Sequence, residues 1–205
     1  MEMTAPSAPW NLTGNGYILL YKFPRNFGIA HSPFGIYKGG FGAIMLVDYQ
    51  TTPVGPYREL LFIPGQVMYP GKTGYSISKI YVSSIESVIG GQTNWGIPKE
   101  LAEFEWRSKS DQSDEIQVSR EGKVFFEISL KVRDWHFPVN AALMPPVVQH
   151  REGKTFITRL KSTAQGQFAS IKYLKQSGTR KDFPAINQFQ PLTALKVTGF
   201  QMTFP

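Results

Sequence analysis

Punctuation constrains this chain more than any other feature. Glycine occurs 19 times and proline 15 times in 205 residues. Between them lie short runs of β-branched and aromatic residues rather than long stretches of helical periodicity. Proline removes a ladder donor and glycine weakens an element interior, so both gather where strands end. On this reading Tyr17 to Phe23, Phe41 to Tyr49, Tyr57 to Ile63 and Tyr75 to Val82 are strands, with a Gly/Pro-rich loop over Phe27 to Gly40. Ala102, Phe104 and Trp106 alternate with Glu103, Glu105 and Arg107 in a half-buried strand. Glu115 to Arg120 and Lys123 to Arg133 form a hairpin around Glu121-Gly122, with Val124, Phe126, Ile128, Leu130 and Val132 on one face. His136 to Gln149 reads as irregular, and Lys154 to Thr163, Gln167 to Lys175 and Leu195 to Phe204 complete the set.

The expected fold class is therefore mainly β (α+β): about ten strands, with one or two short helices, forming a barrel or else a sandwich. A barrel hides its edges and can enclose a small ligand. No repeat or linker divides the chain, so residues 1–205 read as a single domain.

One helix start is clear. Ser83-Ser84-Ile85-Glu86 has the S-x-x-E form of a capping box, with Ser83 predicted as the cap. Ile85, Val88 and Ile89 follow at helical spacing, and Gly90-Gly91 is the predicted end. The helix delivers the chain to Asn94-Trp95-Gly96-Ile97-Pro98-Lys99-Glu100-Leu101.

Composition narrows the classes. There is no cysteine, so disulfides, thiol catalysis and thiolate metal sites are all excluded. The first ten residues carry no basic region and no apolar run, and the longest apolar runs are far short of a membrane span, so neither leader nor membrane partner is expected. Asn11-Leu12-Thr13 matches a glycosylation sequon, a pattern common by chance. The absence of cysteine fits a cytoplasmic setting. Net charge is +7, but the cations alternate with apolar residues, as in Lys131-Val132-Arg133, and form no block. They read as solvated strand faces rather than a nucleic-acid surface. His31, His136 and His150 show no metal-ligand spacing, so no metal is expected. Gly14-Asn15-Gly16 and Gly39-Gly40-Phe41-Gly42 lack the strand-to-helix setting of a phosphate cradle and read as turns.

Two ionisable residues stand out. Lys99 follows a proline and is flanked by Trp95, Ile97 and Leu101, apolar company that disfavours its charge. A desolvated lysine loses its proton near neutral pH and becomes a nucleophile. In Tyr57-Arg58-Glu59-Leu60-Leu61-Phe62-Ile63, alternation places Glu59 with Tyr57, Leu61 and Ile63, and Arg58, Leu60 and Phe62 opposite. Neither face is freely polar, so Glu59 is either an ion-pair partner or an acid/base group in a cavity.

The stretch from Ile80 to Val88 running into Gly90-Gly91-Gln92-Thr93-Asn94-Trp95-Gly96-Ile97-Pro98-Lys99-Glu100-Leu101-Ala102 resembles the acetoacetate decarboxylase superfamily. In that family a Gly-Arg-Glu segment leads to Pro-Lys-Lys-Leu, whose first lysine forms the Schiff base. Gly55-Pro56-Tyr57-Arg58-Glu59-Leu60 resembles its upstream glutamate segment, and Gly199 to Phe204 its tail. The resemblance implies a conical closed barrel with an apolar pocket, Lys99 as Schiff-base residue and Glu59 as its acidic partner. It also implies homo-oligomeric assembly and no cofactor. Acetoacetate decarboxylase is itself the reference case of a lysine activated by desolvation or an adjacent cation. Here Glu100 replaces the second lysine and Gln92-Thr93 the Arg-Glu, so burial of Lys99 is expected to carry the activation. Arg25 is the arginine nearest in sequence to the family's substrate-carboxylate contact.

The expected function is thus that of a cofactor-independent lyase decarboxylating a β-keto acid through Lys99 and Glu59. Trp95, Ile97, Tyr57 and Arg25 are the candidate substrate contacts. An aldolase/dehydratase using the same iminium on a small-molecule ketone, or a lipocalin-like binder of an apolar molecule, are the alternatives.

Overall fold

The computed structural model describes residues 5–69, 72–140, 144–177 and 182–205. Among these are fifteen strands and two helices. In chain order the elements are β1 (Trp10–Tyr21), α1 (Arg25–His31), β2 (Ile36–Gly39), β3 (Gly42–Thr51), β4 (Tyr57–Ile63), β5 (Gln66–Tyr69), β6 (Lys72–Tyr75) and β7 (Lys79–Val82). They continue with α2 (Ile85–Trp95), β8 (Lys99–Leu101), β9 (Glu103–Ser108), β10 (Ser113–Arg120), β11 (Lys123–Asn140), β12 (Val147–Arg151), β13 (Lys154–Thr158), β14 (Lys161–Gln176) and β15 (Thr193–Phe204).

Ten strands form one barrel-shaped sheet in the order β8-β7-β4-β3-β1-β15-β14-β11-β10-β9. The mainly β, barrel-like expectation holds, and the barrel is nearly closed. Its two edge strands, β8 and β9, are consecutive in the chain and separated by Ala102, so covalent continuity joins the edges. Pairing is antiparallel except at β7–β8, which is parallel because α2 carries the chain back between them. A second sheet, β13-β12-β6-β5-β2, was not anticipated. Its strands are short: β2 falls in the segment read as a loop, β12 begins in the one read as irregular, and β13 lies within the run read as a strand, while β5 and β6 lie largely in a stretch given no element because alternation there is too brief to register.

Long strands change their buried face partway. In β1, Trp10 and Leu12 belong to one apolar cluster, and Tyr17, Leu19 and Tyr21 to another. The parity switch falls at Gly14–Gly16, where the pairing register shifts. This stretch is a bulge inside a strand, not the expected turn, because an extra residue re-aims every side chain beyond it. A register shift opposite Ser119 does the same in β11: Val124 is 40% exposed, while Phe125 and Phe126 are buried. The expected face of Phe126, Ile128, Leu130 and Val132 is retained in the core. The hairpin itself turns at Glu121 and Gly122, both at positive φ (53° and 72°), as a type I′ turn requires.

Both faces of the β1–β3–β4 wall are therefore covered. Leu60 and Phe62 face the cluster that includes Ile116, Ile128 and Leu130. Tyr57, Leu61 and Ile63 face the other, with Trp95, Ile97 and Val147. The candidate site lies on this second face.

Candidate active site

The peptide before Lys99 is fixed by three devices. Helix α2 begins at Ser84, one residue later than expected: Ser84 Oγ accepts from the Ser87 N–H at 3.2 Å and donates to Glu86 Oε2 at 2.7 Å. Ser83 is occupied elsewhere, its Oγ accepting from the Arg58 N–H. The helix does not end at Gly90-Gly91 but runs to Trp95 and stops at Gly96, which adopts φ 64° and closes the last turn on Gln92. Finally, the Lys99 N–H donates to the Ile97 carbonyl at 2.8 Å, a three-residue turn around Pro98.

Glycine inside a helix costs roughly 1 kcal/mol relative to alanine, so Gly91 needs a reason. A Cβ there would lie 2.5 Å from Lys99 Cδ. The residue is the slot through which the lysine side chain passes. From the same turn, Gln92 Nε2 donates to the Lys99 carbonyl at 2.8 Å and locks β8 against the helix.

Lys99 is 5% exposed and Glu59 3%. Lys99 Nζ lies 3.1 Å from Glu59 Oε2, 2.9 Å from Ser87 Oγ and 3.3 Å from Tyr57 Oη. An ammonium has three N–H donors, and here it has three acceptors. Tyr49 Oη donates to the other Glu59 oxygen at 3.3 Å. Tyr49 and Tyr57 face each other across the β3–β4 hairpin, their ring centroids 4.6 Å apart.

The electrostatics differ from the sequence expectation. Burial works to lower the Lys99 pKa, as expected, but the Glu59 carboxylate and Tyr57 outweigh it, and the net direction is upward. The resting lysine is held as an ammonium. Burial and the neighbouring Glu59 carboxylate push the Tyr49 phenol well above its ordinary range, and burial raises Tyr57, so both remain protonated donors. Glu100 plays no part in this: it turns away to Lys79 at 2.5 Å and Arg120 at 2.9 Å. Buried neutralisation by Glu59, rather than burial alone, sets the resting state.

The pair opens onto a cavity of about 200 Å³ whose walls include Tyr57, Trp95, Ile97, Leu61, Ile80 and Val147. Three of the four expected substrate contacts (Tyr57, Trp95 and Ile97) are thus brought to the cavity with Lys99 and Glu59. Arg25 is not: it is exposed at the start of α1 and forms no part of the wall. Proximity in sequence misled there, because α1 carries the side chain outward. Trp95 has its indole N–H engaged by the Pro205 carbonyl at 2.6 Å, so it offers the cavity only an apolar face. Among the described residues, no group of three or more His, Cys, Asp or Glu is placed to hold a metal. Nor is any described helix long and apolar enough to cross a membrane.

Sequence reasoning missed Ser87, Gly91, Gln92 and Tyr49. The first two lie at i and i+4, a small-residue stripe on one helix face. Tyr49 follows from the hairpin register that sets it opposite Tyr57.

A nearly closed β-barrel with a buried lysine–carboxylate pair at the wall of an apolar cavity defines a class of pocket protein suited to amine chemistry. The particular family is shown by sequence: the model of the acetoacetate decarboxylase (ADC) family matches residues 32–176, well over half of the chain. The protein belongs to that family and is an enzyme of it. Among solved structures it is similar to acetoacetate decarboxylase from Legionella pneumophila (TM-score 0.71, 15% identity, covering 99% of this chain and 87% of that one). It is also similar to an acetoacetate decarboxylase-like enzyme from Sphingomonas wittichii RW1 (TM-score 0.70, 12% identity, 98% and 91% covered). A third similar structure is the enduracididine biosynthesis enzyme MppR complexed with the condensation product of pyruvate and imidazole 4-carboxaldehyde (TM-score 0.69, 15% identity, 98% and 88% covered). No curated protein matches the chain in sequence.

Proposed function

We propose that this enzyme is a lyase that decarboxylates a β-keto acid through a Schiff base on Lys99. The observation that carries the reading is the three-acceptor seat of Lys99 Nζ, with Glu59 Oε2 at 3.1 Å, at the wall of an apolar cavity.

The resting ammonium is not nucleophilic, so the first step is transfer of one proton from Lys99 Nζ to Glu59, the charged base within reach. The transfer converts a buried ion pair into a neutral pair, which a substrate filling the apolar cavity favours by excluding water. The amine then adds to the ketone carbon, and loss of water gives an iminium. Breaking the bond to the carboxyl carbon releases carbon dioxide and moves that electron pair into the iminium, giving an enamine. Glu59, having given its proton to the departing water, takes up another from solvent and delivers it to the enamine carbon, and hydrolysis then returns the ketone product and the lysine. Ser87 and Tyr57 keep Nζ aimed at the substrate, and Tyr49 orients Glu59.

The test is borohydride trapping. Incubation with 3-oxobutanoate and reduction should leave an adduct on Lys99 by peptide mass spectrometry, and Lys99→Ala should leave neither adduct nor turnover. Full activity in Lys99→Ala would end the proposal. A second reading, aldol addition with dehydration through the same iminium, is favoured by one observation. Beyond Lys99, the described cavity wall holds no cation to receive a substrate carboxylate. Carbon dioxide release measured against condensation product separates the two.

A further inference from the structure

The cavity has a direction. Ladder partners carry Lys99 to Ile80 on β7, Ile80 to Leu61 on β4, Leu61 to Met45 on β3, and Met45 to Ile18 on β1. Directly paired residues share a sheet face, and all five line the cavity. At the usual spacing between strands, this row runs ~19 Å from Lys99 to Ile18. A parallel row begins at the second catalytic candidate: Glu59 pairs with Val47, Val47 with Gly16, and Gly16 with Val197. These too line the cavity. Lys99 stands at one end of this floor and its side chain reaches inward to Glu59 on β4, leaving the β3–β1 part of the floor without a charged group.

The rest of the wall has the same character. Among the described lining residues, Lys99 and Glu59 are the only charged ones, and they neutralise each other. Partly exposed Val139, Leu160 and Ala164, with Met144 at 49% exposure, mark where the cavity meets solvent. Met45, Met144 and Met202 lie on the wall, and unbranched thioether side chains adapt to flexible apolar shapes. A small, fully polar keto acid would leave most of this surface without a partner. An apolar void of ~150 Å³ holds one benzene ring. The 200 Å³ present here has room for a tail of on the order of six to eight carbons.

We propose that the enzyme's substrates are 3-oxo acids or ketones bearing a medium-length apolar tail, with the carbonyl at Lys99 and the tail laid along the Ile80–Leu61–Met45–Ile18 row. The head-group assignment rests on the Schiff-base reading above; the tail assignment rests on the cavity floor. Association is then driven by apolar burial, and each methylene that enters the cavity tightens binding about fourfold, the equivalent of ~0.8 kcal/mol.

Two measurements test the inference. Trp10 and Trp95 both line the cavity, so intrinsic fluorescence reports occupancy. Titration with alkan-2-ols from butanol to decanol, which carry no carbonyl, should show Kd falling about fourfold per methylene before levelling off. In turnover, kcat/KM should climb along the 3-oxo acid series from butanoate to octanoate with a similar slope. Met45→Phe, which shortens the floor, should lower the octanoate-to-butanoate ratio at least about tenfold, the loss of roughly two buried methylenes. An alcohol series flat in chain length overturns the tail site. Chain-length-dependent alcohol binding without any borohydride adduct on Lys99 would instead overturn the lysine chemistry and leave the tail site standing.

Discussion

Replacing Glu59 by glutamine should make Lys99 a more available amine and the enzyme a worse catalyst. The carboxylate lies 3.1 Å from Nζ. At an effective dielectric constant of about 20, that separation corresponds to ~5 kcal/mol of attraction between unit charges. The attraction is what outweighs burial and turns the Lys99 shift upward. Glutamine keeps the shape and removes the charge, so burial becomes the dominant influence and the shift reverses to downward. The assay is the pH dependence of borohydride trapping on Lys99 with saturating ketone. The midpoint in Glu59→Gln should move to lower pH than in the parent, because less base is needed to free the amine. Turnover should fall ~10²- to 10⁴-fold in the same variant, since the proton acceptor and donor is gone. The variant should also lose stability as pH falls, because its native state then has to hold an unpaired buried ammonium, a cost of roughly 3–5 kcal/mol. A trapping midpoint that stays put or moves to higher pH would refute the account, for it would mean that Glu59 does not hold the proton on Lys99.

Three further expectations follow from the same geometry. Gly91→Ala puts a methyl into the path of Lys99 Cδ, only 2.5 Å away; displacement of the amine by about 1 Å should cost on the order of 10² in kcat, read by steady-state kinetics with a retained circular dichroism spectrum. Glu100→Gln should leave the trapping pH profile unchanged and turnover within about threefold, because Glu100 is engaged with Lys79 and Arg120 and surface pairs contribute ~0–1 kcal/mol. For the parent enzyme, the raised Lys99 pKa contributes stability that is fully present below about pH 10.4, the ordinary lysine value, and is lost as pH rises through the folded value; chemical denaturation at stepped alkaline pH should show the loss, and a double variant Lys99→Met/Glu59→Leu should abolish it while remaining folded.

How much of this was legible beforehand divides along a physical line. Local chemistry was. The Gly/Pro punctuation of short alternating runs specified a mainly β chain, because those residues end strands whatever surrounds them. Strict alternation in Tyr57–Ile63 put Glu59 on the face of Tyr57, Leu61 and Ile63, and that face lines the cavity. Pro98 and its apolar neighbours singled out Lys99 before any contact was known. What the chain could not declare locally were the long-range partners. Bulges at Gly14–Gly16 and opposite Ser119 invert parity within single strands, so pattern alone misplaced Val124 and took a strand interior for a turn. Gly90-Gly91 carried the signature of a helix end, yet the helix continues, because Trp10 and Lys99 need the space a Cβ would fill. The charge state of Lys99 was the largest such decision. The sequence by itself placed a lysine among apolar residues and implied that burial would free its proton. Tertiary structure set a carboxylate from β4, a serine from α2 and a tyrosine from β4 around the same nitrogen. Electrostatic interaction depends on distances of a few ångströms between residues tens of positions apart, and only the folded register sets those distances.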